Sequence, residues 1–319
     1  MGKGKLIISL DFEMMWGVRD HRTISSYGEN VAAVRNIVPK LIELADDAGV
    51  HLTFGVVGMM MLSGKEELMK NLPDEEPTYT NSIRSPYGHY IDEMAPEDEK
   101  YHFAPDLIGL INHHSQHELG SHTYCHYYCL EEGQTIGQFE ADIEMAQKIA
   151  GHHLRSIIFP RNQANKEYLE VCCQHGICAY RGNELNSLNT PSAHDGLIKR
   201  ALRLIDNYIN ITGYNTYSDE ILLRSGMPMN IPASRFLRPY SRKLRFLERL
   251  RLKRIKAGMT HAALKGEVYH IWWHPHNFGN NTQENFSVYS KILEHYINLK
   301  KKYGMQSYTM NELYNELHK

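Results

Sequence analysis

Six short, nearly continuous apolar runs, at residues 5–10, 50–57, 118–120, 154–159, 177–180 and 266–273, end in polar residues and mostly lead into stretches of helical periodicity. That repetition confines the chain to a parallel α/β architecture, because only strands covered by helices on their outer faces read as unbroken apolar runs. The first run is followed by helical spacing over 30–48 that stops at Gly49, a residue suited to the left-handed position past a helix end. The second run then completes a βαβ opening. Further helices are predicted at 104–114, 134–150, 167–175 and 282–302, with a short strand at 306–308 and a last helix from Asn311. In such folds the chemistry collects at the C-terminal ends of the strands.

Those ends are rich in titratable groups. The first run closes on Asp11-Phe12-Glu13, two carboxylates that an extended chain turns to the same side. The third leads into His122-Thr123-Tyr124-Cys125-His126, and imidazoles four residues apart share one face of a helical turn, which is metal-ligand spacing. The fourth runs into Pro160-Arg161-Asn162, the fifth delivers Arg181, and the sixth enters His274-Pro275-His276.

This constellation resembles the polysaccharide deacetylases of the NodB-like homology group, the type of carbohydrate esterase family 4. The motifs in order span roughly residues 5–308, and the most specific parts are Ser9-Leu10-Asp11-Phe12-Glu13 and His122-Thr123-Tyr124-Cys125-His126, the latter fitting the family's His-[Ser/Thr]-x-x-His. The opening acids are separated as Asp-x-Glu, like those of one subgroup, where many members have adjacent aspartates. The resemblance implies an α/β fold, a distorted (β/α)7 barrel, and a metal-dependent hydrolase that removes an N-acyl group, chiefly N-acetyl, from an amino sugar. It implies Asp11 as general base, Glu13, His122 and His126 as ligands of a divalent metal (Zn, with Co, Mn or Ni as alternatives), Arg161 beside the base, and His274 as general acid with His276 as understudy. Amides of the loop after Phe159 are expected to help hold the oxyanion.

Three readings compete with this one. His122, Cys125, His126 and Cys129 lie close enough in sequence for a structural zinc site. Metal-free relatives of the same fold hydrolyse cyclic ureides. A catalytically inactive carbohydrate-binding barrel is the third. Cys172, Cys173 and Cys178 read as core thiols. The sequence clusters Trp16, Trp272, Trp273, Tyr124, Tyr127 and Tyr128 around the site, where they serve either sugar rings or the barrel core.

No domain boundary, repeat or low-complexity tract interrupts the 319 residues, so a single catalytic domain over 1–319 is expected. Two segments depart from the pattern. Residues 64–103 lack periodicity and read as an insertion or lid beside the site. Residues 235–257 read as a basic helix, with ten positive charges against Glu248, suited to an anionic membrane surface, to a phosphorylated substrate, or to a solvated outer position. With the first of these, the partner becomes a lipid-linked oligosaccharide in surface-polysaccharide biosynthesis. A net charge of −2 gives no reason to expect nucleic acid. Five cysteines without framework spacing, no signal-like start and no apolar run of spanning length lead to an expected cytoplasmic location, peripheral at the inner membrane face if the basic helix docks there.

Overall fold

The strand that everything else is laid against is β1, Lys5–Phe12, eight residues buried along their whole length. In the computed structural model, which describes residues 2–186, 188, 197–223 and 226–319, it joins β2 (Leu52–Val56), β3 (Glu118–Ser121), β4 (Ser156–Ile157), β5 (Ala179–Gly182), β6 (Met229–Pro232), β7 (Arg235–Phe236), β8 (Val268–Trp273) and β9 (Gln306–Tyr308). The strand order is β6-β5-β4-β3-β2-β1-β8-β7, with β9 paired to β1, and each of these pairings is parallel.

The two apparent edges are one strand. β6 pairs with β5 and β7 with β8, while between them Ala233 N–H donates to Gly182 O (2.9 Å) and Ser234 N–H to His270 O (2.8 Å). Residues 229–236 therefore form a bent stave shared by two neighbours, and seven staves close the ring. This is the distorted (β/α)7 barrel expected from the sequence, and closure removes the unpaired edges an open sheet would expose.

Alternation along β1 decides what faces the interior. Leu6, Ile8, Leu10 and Phe12 belong to the cluster packed beneath the helices, whereas Ile7 belongs to a second one with Ile158, Ala179, Ile231 and Val268. Ser9 and Asp11, two and four residues on, rise from Ile7 on the same side of the strand. Helix boundaries follow local chemistry. Thr23 and Thr135 close capping boxes at Ile24–Ala32 and Ile136–Ala150, and Gly49 (φ 64°) ends Val34–Ala48. The single helix expected over 30–48 is thus two helices meeting at Ala33.

Two expectations are corrected. β4 is only two residues long, because beyond it the Ile158 carbonyl accepts from His122 Nδ1 (2.7 Å) instead of continuing the ladder. The basic segment 235–257 is not one helix. Arg235 and Phe236 are locked into register with Ile271 and Trp272, Pro239 disfavours helix before it, and the α-helix spans Glu248–Lys265. Arg235, Arg251 and Arg254 are buried rather than solvated.

Residues 64–103 form short turns and helices laid over the loop that follows β1. Met15 N–H donates to Tyr101 O (3.0 Å), Trp16 Nε1 to His102 O (2.8 Å) and Arg19 Nη1 to Ile83 O (3.1 Å). No helix among the described residues is long and apolar enough to cross a membrane.

Candidate active site

Asp11, at the top of β1, is buried and held by Arg181 from the end of β5 through both guanidinium nitrogens, Nη2 lying 2.8 Å from Oδ2. Burial alone would raise the carboxyl's pKa, but the Arg181 charge and hydrogen bonds outweigh it, and Asp11 sits below the usual range. Arg181 is fixed in turn. Asn162 Oδ1 accepts from Nη2 (2.9 Å), and the Trp272 ring lies 4.0 Å from the guanidinium carbon. Below it, Ser9 Oγ accepts from Arg181 Nη1 (3.3 Å) and meets His270 Nε2 at 2.8 Å.

Beside Asp11, Glu13 Oε2 lies 3.3 Å from His122 Nε2 and 3.2 Å from His126 Nε2. His122 Nδ1 faces the Ile158 carbonyl, which can only accept, so the proton is on Nδ1 and Nε2 presents a lone pair. His126 Nδ1 meets Tyr128 Oη (3.2 Å), whose proton is directed to Asp20 Oδ2 (3.2 Å), so His126 Nε2 also presents a lone pair. Burial lowers the His126 pKa to about 4, which keeps that ring neutral. Three acceptors thus converge, an arrangement that repels itself without a cation. Bonds of about 2.0–2.2 Å from a tetrahedral ion put donors about 3.4 Å apart, close to the separations seen, so the donor set fits a divalent metal. Hydrogen bonds at both Nδ1 atoms orient the rings as metal-bound histidines require.

The histidine pair is not brought together by a helical turn. Residues 122–128 form a loop in which Thr123 (φ 64°) and His126 (φ 61°) take left-handed conformations. Buried Asp142 braces the loop by accepting from the amides of Tyr124 (2.6 Å) and Cys125 (3.0 Å), and Thr123 Oγ1 accepts from Tyr127 N–H (2.7 Å). The i,i+4 spacing reflects loop length here, not helical pitch. Gly17 is required by close approach, since any Cβ there would overlap the Glu13 carboxylate.

His274 Nε2 faces both acids, 3.7 Å from Asp11 Oδ2 and 3.7 Å from Glu13 Oε1. Asn277 Nδ2 donates to its Nδ1 (3.3 Å), which leaves the ring proton on Nε2, toward the site. His276 stacks on His274 at 5.0 Å between ring centres but is buried, and burial lowers its pKa to about 3. These groups line a 420 Å³ cavity walled by Tyr27, Phe236 and Trp272. The acids, histidine ligands and Arg181 come from the first five staves. Phe236, Trp272 and His274 come from the last two.

Arg161, expected beside the base, is not there. It and Asn162 are successive left-handed residues (φ 55° and 52°), and this reversal turns Asn162 toward Arg181 and leaves Arg161 at the cavity wall, directed away from Asp11 onto the Tyr128 ring (4.2 Å) and Asp20 (2.5 Å). Arg161 therefore steadies the Tyr128–Asp20 support of His126. The arginine that holds Asp11 is Arg181, whose place at the end of the fifth run was the available signal. The amides of Asn162 and Gln163 bond to Phe159 O and Pro160 O within the same turn and are not free for an oxyanion.

Of the aromatic cluster, only Trp272 lines the cavity; Trp16, Trp273, Tyr124, Tyr127 and Tyr128 are core residues. Tyr27 and Phe236 were missed, having no strand-end signal for Tyr27 and only two ladder residues for Phe236. Among the described residues, the groups with metal-binding geometry are Glu13–His122–His126 and Glu140–Glu144–His175; neither contains a thiol. Cys125 and Cys129 are buried, burial pushes both thiols well up, and among the described residues neither stands in a group with metal-binding geometry.

No family model and no curated protein matches the sequence. Solved structures do match in fold. A Mycobacterium smegmatis protein described as a polysaccharide deacetylase superposes with a TM-score of 0.58 at 13% identity, over 100% of this chain and 91% of its own. A Pseudomonas aeruginosa protein so described gives 0.55 at 12% identity, over 98% and 90%. An allantoinase gives 0.53 at 11% identity, also over 98% and 90%. The chain has the architecture of the polysaccharide deacetylases.

Proposed function

We propose that this barrel is a metal-dependent hydrolase that removes an N-acyl group, N-acetyl above all, from an amino sugar. One observation carries the reading: three lone pairs from Glu13, His122 and His126 converge beside an ionised, arginine-held Asp11, with His274 opposite. A divalent ion held there supplies a more acidic water and polarises the acyl carbonyl. The protein's own groups do the rest. Asp11 Oδ2 accepts the proton of the attacking water, and Arg181 keeps that oxygen ionised beforehand. Amines leave poorly, and His274 holds its proton at Nε2, on the side where the leaving nitrogen must lie. The aromatic wall of Tyr27, Phe236 and Trp272 offers apolar faces to a sugar ring.

A metal-free hydrolysis, as in the ureide-cleaving alternative, leaves the convergent acceptors unexplained, and an inactive binding barrel leaves the Asp11–Arg181 pair unexplained. The test combines elemental analysis with acetate release from N-acetylated sugars. About one divalent ion per chain is expected in the wild type and in Asp11→Asn, and none in His122→Ala. Turnover is expected to fall roughly 10²–10⁴-fold in Asp11→Asn. An active Asp11→Asn protein removes the base assignment, and an active protein without metal removes the metal-dependent reading.

A further inference from the structure

The chain after β7 leaves the barrel at the end where His274 follows β8, because the two strands are parallel and paired in register. It is pinned to that rim. Tyr240 N–H donates to Asn285 Oδ1 (2.7 Å) and Arg242 Nε to Asn281 Oδ1 (2.8 Å), both on the segment that continues from His274. A 3₁₀ turn, Arg242–Leu247, then runs into the helix Glu248–Lys265, whose buried side includes Arg251, Arg254, Ile255, Gly258 and Met259.

The outward side is different in kind. Arg245, Arg249 and Lys253 recur at four-residue spacing with Phe246 and Leu250 beside them, so these five share one strip of surface. Arg242 and Lys243 extend the positive charge at its start. All seven are exposed, and Phe246, at 73%, is the most exposed large apolar side chain among the described residues. Glu248, the one acid between residues 235 and 257, is occupied by Arg251 (3.0 Å at Nε). None of the five exposed cations makes an ion pair among the described residues. With a net charge of −2 on the whole chain, this is a local concentration of positive charge.

We propose that this strip docks on an anionic lipid bilayer, with Phe246 and Leu250 entering the headgroup boundary and the surrounding cations meeting lipid phosphates. Cations without partners give up no ion pair on approach. Charge alone would suit any polyanion, but apolar side chains held outward among the cations find burial at an acyl boundary, where aromatic rings also settle. Docking sets the catalytic end of the barrel at the membrane surface, and this holds whatever bond the site cleaves.

The test is co-sedimentation of the protein with mixed phosphatidylcholine and phosphatidylglycerol vesicles, beside vesicles of phosphatidylcholine alone. Binding to the mixed vesicles is expected at low salt, falling as salt screens the charges, with none to the neutral ones. Phe246→Ser is expected to weaken it about tenfold, and the double variant Arg245→Gln, Arg249→Gln about tenfold or more, while Phe246→Trp keeps it, all at unchanged melting temperature. Absence of binding to the anionic vesicles overturns the proposal. So does wild-type binding by both Phe246→Ser and the double variant, which would place the contact elsewhere on the surface. Loss in the double variant with none in Phe246→Ser also overturns it, and leaves the strip to a soluble polyanion.

Discussion

At the scale of single residues, the site depends on a few side chains whose loss has distinguishable effects. Arg181→Ala strands a buried carboxylate, so a stability loss of about 3–5 kcal/mol is expected together with loss of turnover. Arg161→Ala removes a partly exposed partner from Asp20, which keeps Arg84, and the expected loss is under about 1 kcal/mol. Urea denaturation of the two variants checks the contrast; equal losses would place Arg161 at the base after all. Gly17→Ala is expected to leave folding nearly intact while displacing Glu13, and metal affinity should fall about 10–100-fold, measured by competition with a chromophoric chelator. Asp11, Glu13, His122, His126 and His274 were legible because they stand at the ends of apolar runs, where position in the fold follows from position in the pattern. Arg161 was misread because two successive left-handed residues reverse which side chain points inward, and hydrophobic periodicity carries no trace of that. Asp20 and Asp142 were invisible for a different reason: an isolated acid in a sequence looks the same whether it braces a ligand loop or faces water.

At the scale of elements, strand existence was readable and strand joinery was not. A strand buried on both faces leaves a run such as residues 5–10, but the stave that closes the barrel shows only as 229–236 crossing from one neighbour to another. Its bend is held by Ser234, whose Oγ accepts from His270 N–H (3.0 Å) and donates to Asn215 O (2.8 Å) while its own N–H donates to His270 O. Ser234→Ala leaves the His270 amide unpaired inside the barrel. A loss of about 1–3 kcal/mol is expected by thermal or chemical unfolding, and a neutral result would show that the bend is held by its flanking ladders alone. The segment 235–257 failed as a helix because charge content was its only signal. Three of its arginines spend their charge indoors, on Asp206, Glu248 and backbone carbonyls.

At the scale of the whole molecule, buried neutral histidines tie stability to pH. His102 donates from Nδ1 to Asp98 O (2.9 Å), meets Tyr90 Oη at Nε2 (2.7 Å), and is lowered by burial to about 4; His270 is lowered by burial to about 3. The unfolded chain takes up these protons near pH 6.5 and the folded chain does not, so stability is full above 6.5 and is lost as pH falls toward 4 and below. For one such histidine, stability declines by about 1.4 kcal/mol for every pH unit crossed between the unfolded and folded values, and His102→Gln is expected to flatten the decline in melting temperature between pH 6.5 and 4. An unchanged slope would assign the acid sensitivity elsewhere. The order of the staves has a consequence for descent. In the proposed function, the residues that would hold the ion and take the proton are encoded before residue 182, while His274 and the Phe236 and Trp272 walls of the cavity are encoded after residue 230. A lineage can therefore alter that wall through changes confined to the later part of the gene, so long as His274 is kept, and inherit the cluster of Asp11, Glu13, His122 and His126 unaltered.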